Sequence, residues 1–420
     1  MKNICVIGLG YIGIPTALVF AANNFTIWGV DVDKTKVDSI NNKIIPFHET
    51  EVDTFSKPIF QNNIFTAGIS VRKADVFIIC VSTPLKENKN ECDLRYVQAA
   101  TESIVPCLQK DNLVILESTV PPRTCEDLVI PILEKSGLKV TKDFYFAHCP
   151  ERLLPGNIIY EIIYNDRIIG GIDKKSTDLA FELYSSFVKG SIFKTNTRTA
   201  EMCKLMENTY RDVNIALANE LLLICEKLDI NIYEAINIAN KHPRVKILQP
   251  GPGVGGHCLP KDPWLIYEMA PEISKLLKTA RLINKNMPNE VVKNIIKIDE
   301  KSTLRKISLW GVSYKGNVDD PRDSPSYDIF SKLVEHGFTV SVFDPIVNNG
   351  NLKLDNLENS VTNADLILII TDHDVFNNQD LFKIRKKMNK LIVFDTRNFI
   401  FEDKWKVAGF KIYKFGTISR

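Results

Sequence analysis

The chain has 420 residues, of which 45% are hydrophobic and 25% charged, the balance of an ordinary water-soluble protein with room for two or three domains. A formal net charge of +2, with no lysine- or arginine-rich block, argues against a nucleic-acid surface, and no apolar run approaches the roughly 20 residues that span a bilayer. The nine cysteines are scattered, several of them in apolar segments such as those around Cys5 and Cys80, which predicts reduced, mostly buried thiols.

Lys2 to Ile7 reads as a short apolar strand, and the chain opens directly on it, so no signal peptide is expected. The strand runs into Gly8-Leu9-Gly10-Tyr11-Ile12-Gly13 and then into a helical pattern from Ile14 to Ala22. A second strand, Phe25 to Val30, ends at Asp31, an acid about 20 residues past the glycines, as a dinucleotide fold requires. Gly8 makes the turn, Gly10 admits the pyrophosphate to the helix N-terminus, and Gly13 lets the helix pack on the sheet. Asp31 would accept hydrogen bonds from the ribose hydroxyls and repel a 2′-phosphate, so NAD is expected rather than NADP. Asp33, a competing acid, falls past the strand end.

Further apolar strands are predicted at Val76 to Val81, Leu113 to Glu117 and Phe144 to Ala147, a parallel doubly wound sheet. The loops that follow them line the ligand crevice of such a sheet, and two carry hydroxyls there: Ser82-Thr83 and Ser118-Thr119. The third is followed by His148-Cys149-Pro150-Glu151-Arg152, where Glu151 is a candidate base and the backbone beyond it, with Arg152 and Leu154, a candidate substrate cradle.

A long helix is predicted from Thr199 to about Asp229, another from Ile232, and a further helical stretch from Pro263 to Ile298. Glu201, Lys204, Asn208 and Asp212 recur at three and four residues and share a helix face. Lys204 lies in a largely apolar setting, and a lysine and an asparagine one turn apart can donate together to one oxyanion. Between the helices lies the glycine-rich loop Gly251 to Trp264, with Gly255, Cys258 and Asp262: a thiol able to attack a carbonyl and a carboxylate able to handle protons beside it. His148-Cys149 and His257-Cys258 lack any companion CxxC or HxxxH spacing, so no metal site is expected.

An α/β pattern then restarts, with strands at Lys306 to Val312, Thr339 to Phe343, Ala364 to Thr371 and Lys390 to Asp395 and a helix at Ser326 to His336. It has no GxGxxG, so a phosphate-bearing ligand other than NAD is expected there. The pattern predicts two Rossmann-like doubly wound domains joined by a long-helix middle domain, divided at 1–195, 196–298 and 299–420.

GLGYIG, ESTVPP, CPER, TAEMCKLMEN, GVGGHCLPKDP and GVSYKGNVDDPRDSP stand in an order that resembles the nucleotide-sugar 6-dehydrogenase family, whose members include UDP-glucose and GDP-mannose dehydrogenases. The resemblance covers nearly the whole chain. It implies an NAD domain, a helical dimerising middle and a C-terminal nucleotide-binding domain, and a cytoplasmic homodimer that oxidises a UDP-sugar with NAD. It places the nucleophile on Cys258, its companion acid on Asp262, the oxyanion donors on Lys204 and Asn208, a cofactor-loop threonine on Thr119 and the hydrolytic base on Glu151. Lys315 matches a substrate-contacting lysine, Arg322 lies in the same loop pattern, and Arg244 matches an arginine given by a neighbouring subunit.

UDP-glucose and GDP-mannose members read PEFL, a small or basic residue, an acid and a glycine after the base; here Pro155 stands in place of the acid. With HPRV and QPGPGVGGHC, this is similar to the branch that oxidises UDP-N-acetylhexosamines. The run Ile247 to Pro252 is most similar to members acting on the mannosamine epimer, and members acting on UDP-N-acetylglucosamine share much of it. The implied reaction removes four electrons from C6, so it consumes two NAD. A β-hydroxyacid-type dehydrogenase, needing no cysteine, and a non-catalytic nucleotide-sugar binder are the rival readings.

Overall fold

The computed structural model describes residues 2–47, 49–87, 89–153, 156–299, 302–348 and 350–417. The chain divides into two compact units, one of residues 1–207 and 264–271, the other of 208–263 and 272–420.

In the first unit, strands β1 (Asn3–Ile7), β2 (Thr26–Val30), β3 (Phe65–Gly68), β4 (Val76–Ile79), β5 (Leu113–Leu116), β6 (Tyr145–His148), β7 (Arg167–Gly171) and β8 (Ile192–Asn196) form one sheet. Its order is β3-β2-β1-β4-β5-β6-β7-β8. The central strands are continuous apolar runs because helices cover both faces: Ile4, Val6, Ile78 and Ile115 pack into one core, Cys5, Phe77, Ile79 and Val114 into the other.

The expected parallel sheet has one reversal. β7 runs antiparallel to β6, pairing Ala147 with Gly171 and His148 with Gly170. A parallel β7 would begin at the far edge of the sheet. The reversed strand instead brings its first residue, Arg167, to the carboxyl ends of β4, β5 and β6, the edge where ligands bind in such sheets.

In the second unit, β9 (Lys306–Trp310), β10 (Thr339–Phe343), β11 (Leu366–Ile369), β12 (Ile392–Asp395) and β13 (Lys411–Lys414) form a parallel sheet ordered β10-β9-β11-β12-β13. Ile307, Leu309, Leu366 and Leu368 pack with Met287, Val291 and Ile295 of the helix Lys275–Ile298.

The long helix spans Thr197–Lys227 and the next Ile232–Ala239, as the periodicity predicts. The predicted continuous stretch from Pro263 to Ile298 is instead two helices, Asp262–Tyr267 and Lys275–Ile298. Pro271 lies in the break; it has no N–H to donate and it disfavours the helical region at Ala270. No helix among the described residues is long and apolar enough to cross a membrane.

Candidate active site

The glycine turn after β1 is closed by sterics. Gly8 has φ +99°, and a Cβ there would lie 2.6 Å from the carbonyl oxygen of Cys80. A Cβ on Gly13 would lie 1.8 Å from the carbonyl oxygen of Gly8. At Gly10 a Cβ would meet nothing within 4 Å, so this glycine leaves open space before the N-terminus of the helix Gly13–Ala22. Two glycines build the turn and one leaves it uncovered, which is the cradle a pyrophosphate needs. Asp31 accepts from the backbone N–H groups of Leu9 (2.8 Å) and Asp33 (2.9 Å), so it also ties the glycine turn to β2. Asp33 caps the helix Lys34–Asn41 by accepting from the N–H of Thr35, which disposes of it as a rival ribose ligand. Tyr11 stacks on Phe47 at 4.4 Å and donates to Glu49, while Ile12 is partly buried at the helix entry.

The hydroxyls after β4 and β5 cross-link their own loops. Thr83 donates to the carbonyl of Thr119 and Ser118 to that of Val81, both at 2.7 Å. Thr119 itself is half-buried. The cofactor loops are therefore held rigid by groups that sequence reasoning assigns to the cofactor.

Beyond β6, Glu151 is buried; it accepts from the N–H of Arg152 at 2.6 Å and from Nη2 of Arg167 at 3.3 Å. Arg152 pairs with Glu207 and donates from Nη1 to the carbonyl of Asp166. Leu154 and Pro155 lie outside the described residues. Arg167 also stands 3.6 Å from Glu117, a fully buried acid that accepts from Tyr184 (2.5 Å), Cys80 (3.1 Å) and Thr16 (3.2 Å). Burial, and then the charge of Glu151, raise the pKa of Glu117. Sequence reasoning missed this cluster. Its signals were an acid closing the apolar run Leu113–Leu116 and an arginine opening the run Ile168-Ile169.

On the long helix Glu201, Lys204 and Asp212 are buried and Asn208 half-buried, and the four separate into two kinds. Glu201 accepts from the N–H groups of Arg123 and Cys125 and so anchors the Cys125–Val129 turn; Asp212 pairs with Arg281 and accepts from Asn284. Those two are structural. Lys204 is 8% exposed and makes no ion pair among the described residues. Asn208 donates from Nδ2 to Oδ2 of Asp262 at 2.6 Å.

The glycine-rich loop holds Asp262 in place. Its carboxylate is fully buried, with Nζ of Lys261 at 3.5 Å and with Oδ1 making no hydrogen bond among the described residues. The carbonyl of Cys258 accepts from the N–H groups of Lys261 and Asp262, so the half-buried thiol and the carboxylate sit on one helical turn. A Cβ on Gly255 would lie 2.6 Å from the carbonyl of Asp323 and 2.8 Å from Cβ of Tyr314, and Gly256 at φ +86° donates to the carbonyl of Arg322. The loop is thus glycine-rich so that it can lie against the segment bearing Tyr314, Lys315 and Arg322. Arg322 makes a bidentate pair with Asp320, while Lys315 is exposed. Burial, helped by Lys261 and Arg322, lowers the pKa of His257 to about 4, so it is neutral at neutral pH. Arg244 stands exposed in the segment 241–246. No group of three potential metal ligands occurs among the described residues.

Three models of one family match in chain order: the UDP-glucose/GDP-mannose dehydrogenase NAD binding domain over residues 2–188, the central domain over 198–286 and the UDP binding domain over 308–402. The chain belongs to the UDP-glucose/GDP-mannose dehydrogenase family. Its relatives include the UDP-N-acetyl-D-mannosamine dehydrogenase of Methanocaldococcus jannaschii, 47% identical over 99% of this chain and 96% of that one. The enzyme of the same name from Methanococcus maripaludis is 46% identical over 99% of this chain and 97% of its own. A solved structure of the UDP-D-ManNAc dehydrogenase of Pyrococcus horikoshii superposes with a TM-score of 0.92 at 42% identity, covering 99% of both chains. The protein is therefore an NAD-dependent nucleotide-sugar dehydrogenase, and its glycine turn and Asp31 lie within the residues matched by the family's NAD binding domain.

Proposed function

We propose that this family member oxidises C6 of UDP-N-acetyl-D-mannosamine to the carboxylate, giving UDP-N-acetyl-D-mannosaminuronate as a precursor for surface polysaccharide. The observation that carries the choice of sugar is the full-length identity of 42–47% to relatives named for it. The chemistry rests on the turn that joins Cys258 to Asp262 and on the hydrogen bond of Asn208 to that carboxylate.

Gly8, Gly10, Tyr11, Ile12, Gly13, Asp31, Thr83, Ser118 and Thr119 hold NAD, which supplies the hydride acceptor for each of the two oxidations. Water held by Asp262 and Lys204 takes the hydroxyl proton of C6 in the first. Sγ of Cys258 then attacks the aldehyde carbon and forms a thiohemiacetal, which keeps the aldehyde bound until the second oxidation makes it a thioester. Lys204 and Asn208 donate to the oxyanion at each tetrahedral stage. Glu151, with Thr119, draws a proton from the water that hydrolyses the thioester. Arg152, Leu154, Gly255, Lys315 and Arg322 line the sugar nucleotide, and Arg244 reaches the site of a second copy.

The working unit is a homodimer in the cytoplasm, where NAD and UDP-sugars are made. Tyr210, Leu217, Ile224 and Leu228 are exposed at spacings of seven, seven and four along the long helix and its end, an unpaired apolar stripe suited to a second copy. The three functional domains run over 1–195, 196–298 and 299–420.

The test is turnover with UDP-N-acetylmannosamine and with its glucosamine epimer, each product weighed by mass spectrometry. The mannosamine compound is expected to gain one oxygen and lose two hydrogens while the epimer stays unchanged. Conversion of the glucosamine compound alone would overturn the choice of sugar and keep the chemistry.

A further inference from the structure

The cluster around Arg167 lies within the first unit, and of its members the reaction as described uses Glu151 and leaves Arg167 and Glu117 without a role. Three ionisable side chains share one buried place: Glu117 at 1% exposure, Arg167 at 5% and Glu151 at 7%. One guanidinium faces two carboxylates, Nη2 to Glu151 at 3.3 Å and Nη1 to Glu117 at 3.6 Å. The geometry is asymmetric. Glu117 has three side-chain donors, whereas Glu151 has one nitrogen of Arg167, Nη2, and the N–H of its neighbour Arg152. Nη1 of Arg167 makes no hydrogen bond among the described residues, so the fork is satisfied only on the side of Glu151. The plane of the guanidinium is fixed from another direction by the Tyr184 ring, 4.8 Å from its centre.

We propose that Arg167 is a positioning residue for Glu151, fixing its carboxylate at the ligand edge of the sheet for the hydrolytic step, with Glu117 as the second carboxylate on the same guanidinium. This rests on the assignment of Glu151 as the base of thioester hydrolysis. In that step a water oxygen bonds to C6 as the bond from C6 to Sγ of Cys258 breaks. One water proton passes to Glu151 and on to the departing sulfur, the other leaves with the acid, and no electrons are transferred. To take that proton Glu151 must hold one carboxylate geometry, and its contacts, Nη2 of Arg167 on Oε2 at 3.3 Å and the N–H of Arg152 on Oε1 at 2.6 Å, fix both oxygens. Arg152, the next residue, pairs its guanidinium with Glu207, which leaves Arg167 as the guanidinium on the Glu151 carboxylate. Burial raises the pKa values of Cys80, Cys149 and Tyr184 and lowers that of His148 to about 3, so all four are neutral at neutral pH. The antiparallel course of β7 is what delivers the arginine, because it carries the strand's first residue to the loop after β6.

The experiment is rapid-quench kinetics on the full-length enzyme with UDP-N-acetylmannosamine, comparing wild type, R167M, R167K and the R167M/E117Q double variant, with intact-protein mass at each time point. Both oxidations precede hydrolysis. The variants are therefore expected to release two NADH per active site in a fast phase near the wild-type rate, then turn over on the order of 100-fold more slowly for R167M. The sugar adduct on Cys258 is expected to accumulate. R167K keeps the charge but not the two-pronged fork and falls between. The double variant removes one charge of each sign and guards against a misfolded R167M; it too is expected to stall at the adduct. A fast phase that falls in step with turnover, or variants that turn over like wild type with no adduct, would overturn the proposal. A wild type that gives no two-NADH phase and an E151Q variant that gathers no adduct would instead overturn the assignment of Glu151, leaving the two failures distinguishable.

Discussion

At Gly8, Gly10 and Gly13 the three missing side chains do different things, and the difference is testable. G13A places a methyl group 1.8 Å from a backbone oxygen, so the turn cannot close, and the variant is expected to lose NAD binding together with the stability of its unit. G10A meets no neighbour and is expected to fold like wild type, yet to bind NAD at least about tenfold more weakly, ~1.4 kcal/mol, because the methyl group stands where the pyrophosphate approaches. Calorimetric titration of NAD into folded G10A checks this; unchanged affinity would contradict the cradle. The glycine turn after the first strand, with Asp31 tied to it, was legible in the sequence because it is written in local spacing. Arg167 and Glu117 were not, because the arginine meets its two acids only through long-range strand pairing: it is 16 residues from Glu151 but 50 from Glu117. Glu201 and Asp212 were misleading for the related reason that a polar helix face looks the same whether it binds a ligand or a neighbouring backbone.

At the scale of elements, β6 ends on His148, which is fully buried and has its pKa lowered to about 3. The unfolded chain binds a proton there near pH 6.5 and the folded chain does not, so stability falls as pH drops below 6.5 and goes on falling to about 3. Replacing this ring with phenylalanine should remove that component. The stability difference between H148F and wild type is expected to shift by about 2 kcal/mol in favour of the variant between pH 7 and pH 5. Denaturant melts at the two pH values check it, and a difference independent of pH would refute it. The strongly apolar strands β1, β4, β5 and β9 were readable from composition. β3, β7, β8 and β13 were not: Ile192–Asn196 is an edge strand with exposed Phe193 and Lys194, and Arg167–Gly171 ends in two glycines. The direction of β7 was beyond sequence pattern altogether, since an apolar run reads the same for either orientation.

For the whole molecule, the apolar stripe on the long helix and the exposed Arg244 belong to one prediction. If the stripe is the seam of the proposed homodimer and Arg244 the proposed contact across it, charging the stripe with the L217E/I224E double change is expected to give a monomer by light scattering, with NAD binding retained and turnover largely lost. A monomer with full turnover would remove Arg244 from the site. The two sheets, one near each end of the chain, were legible from the strand pattern of the sequence. In the proposed reaction one protein takes four electrons from one alcohol by holding the intermediate on Cys258. Its most direct test is the yield of NADH from limiting UDP-N-acetylmannosamine, measured for wild type and for C258S. Wild type is expected to yield two NADH per sugar and C258S no acid. A single NADH per sugar from wild type, or normal acid formation by C258S, would contradict it.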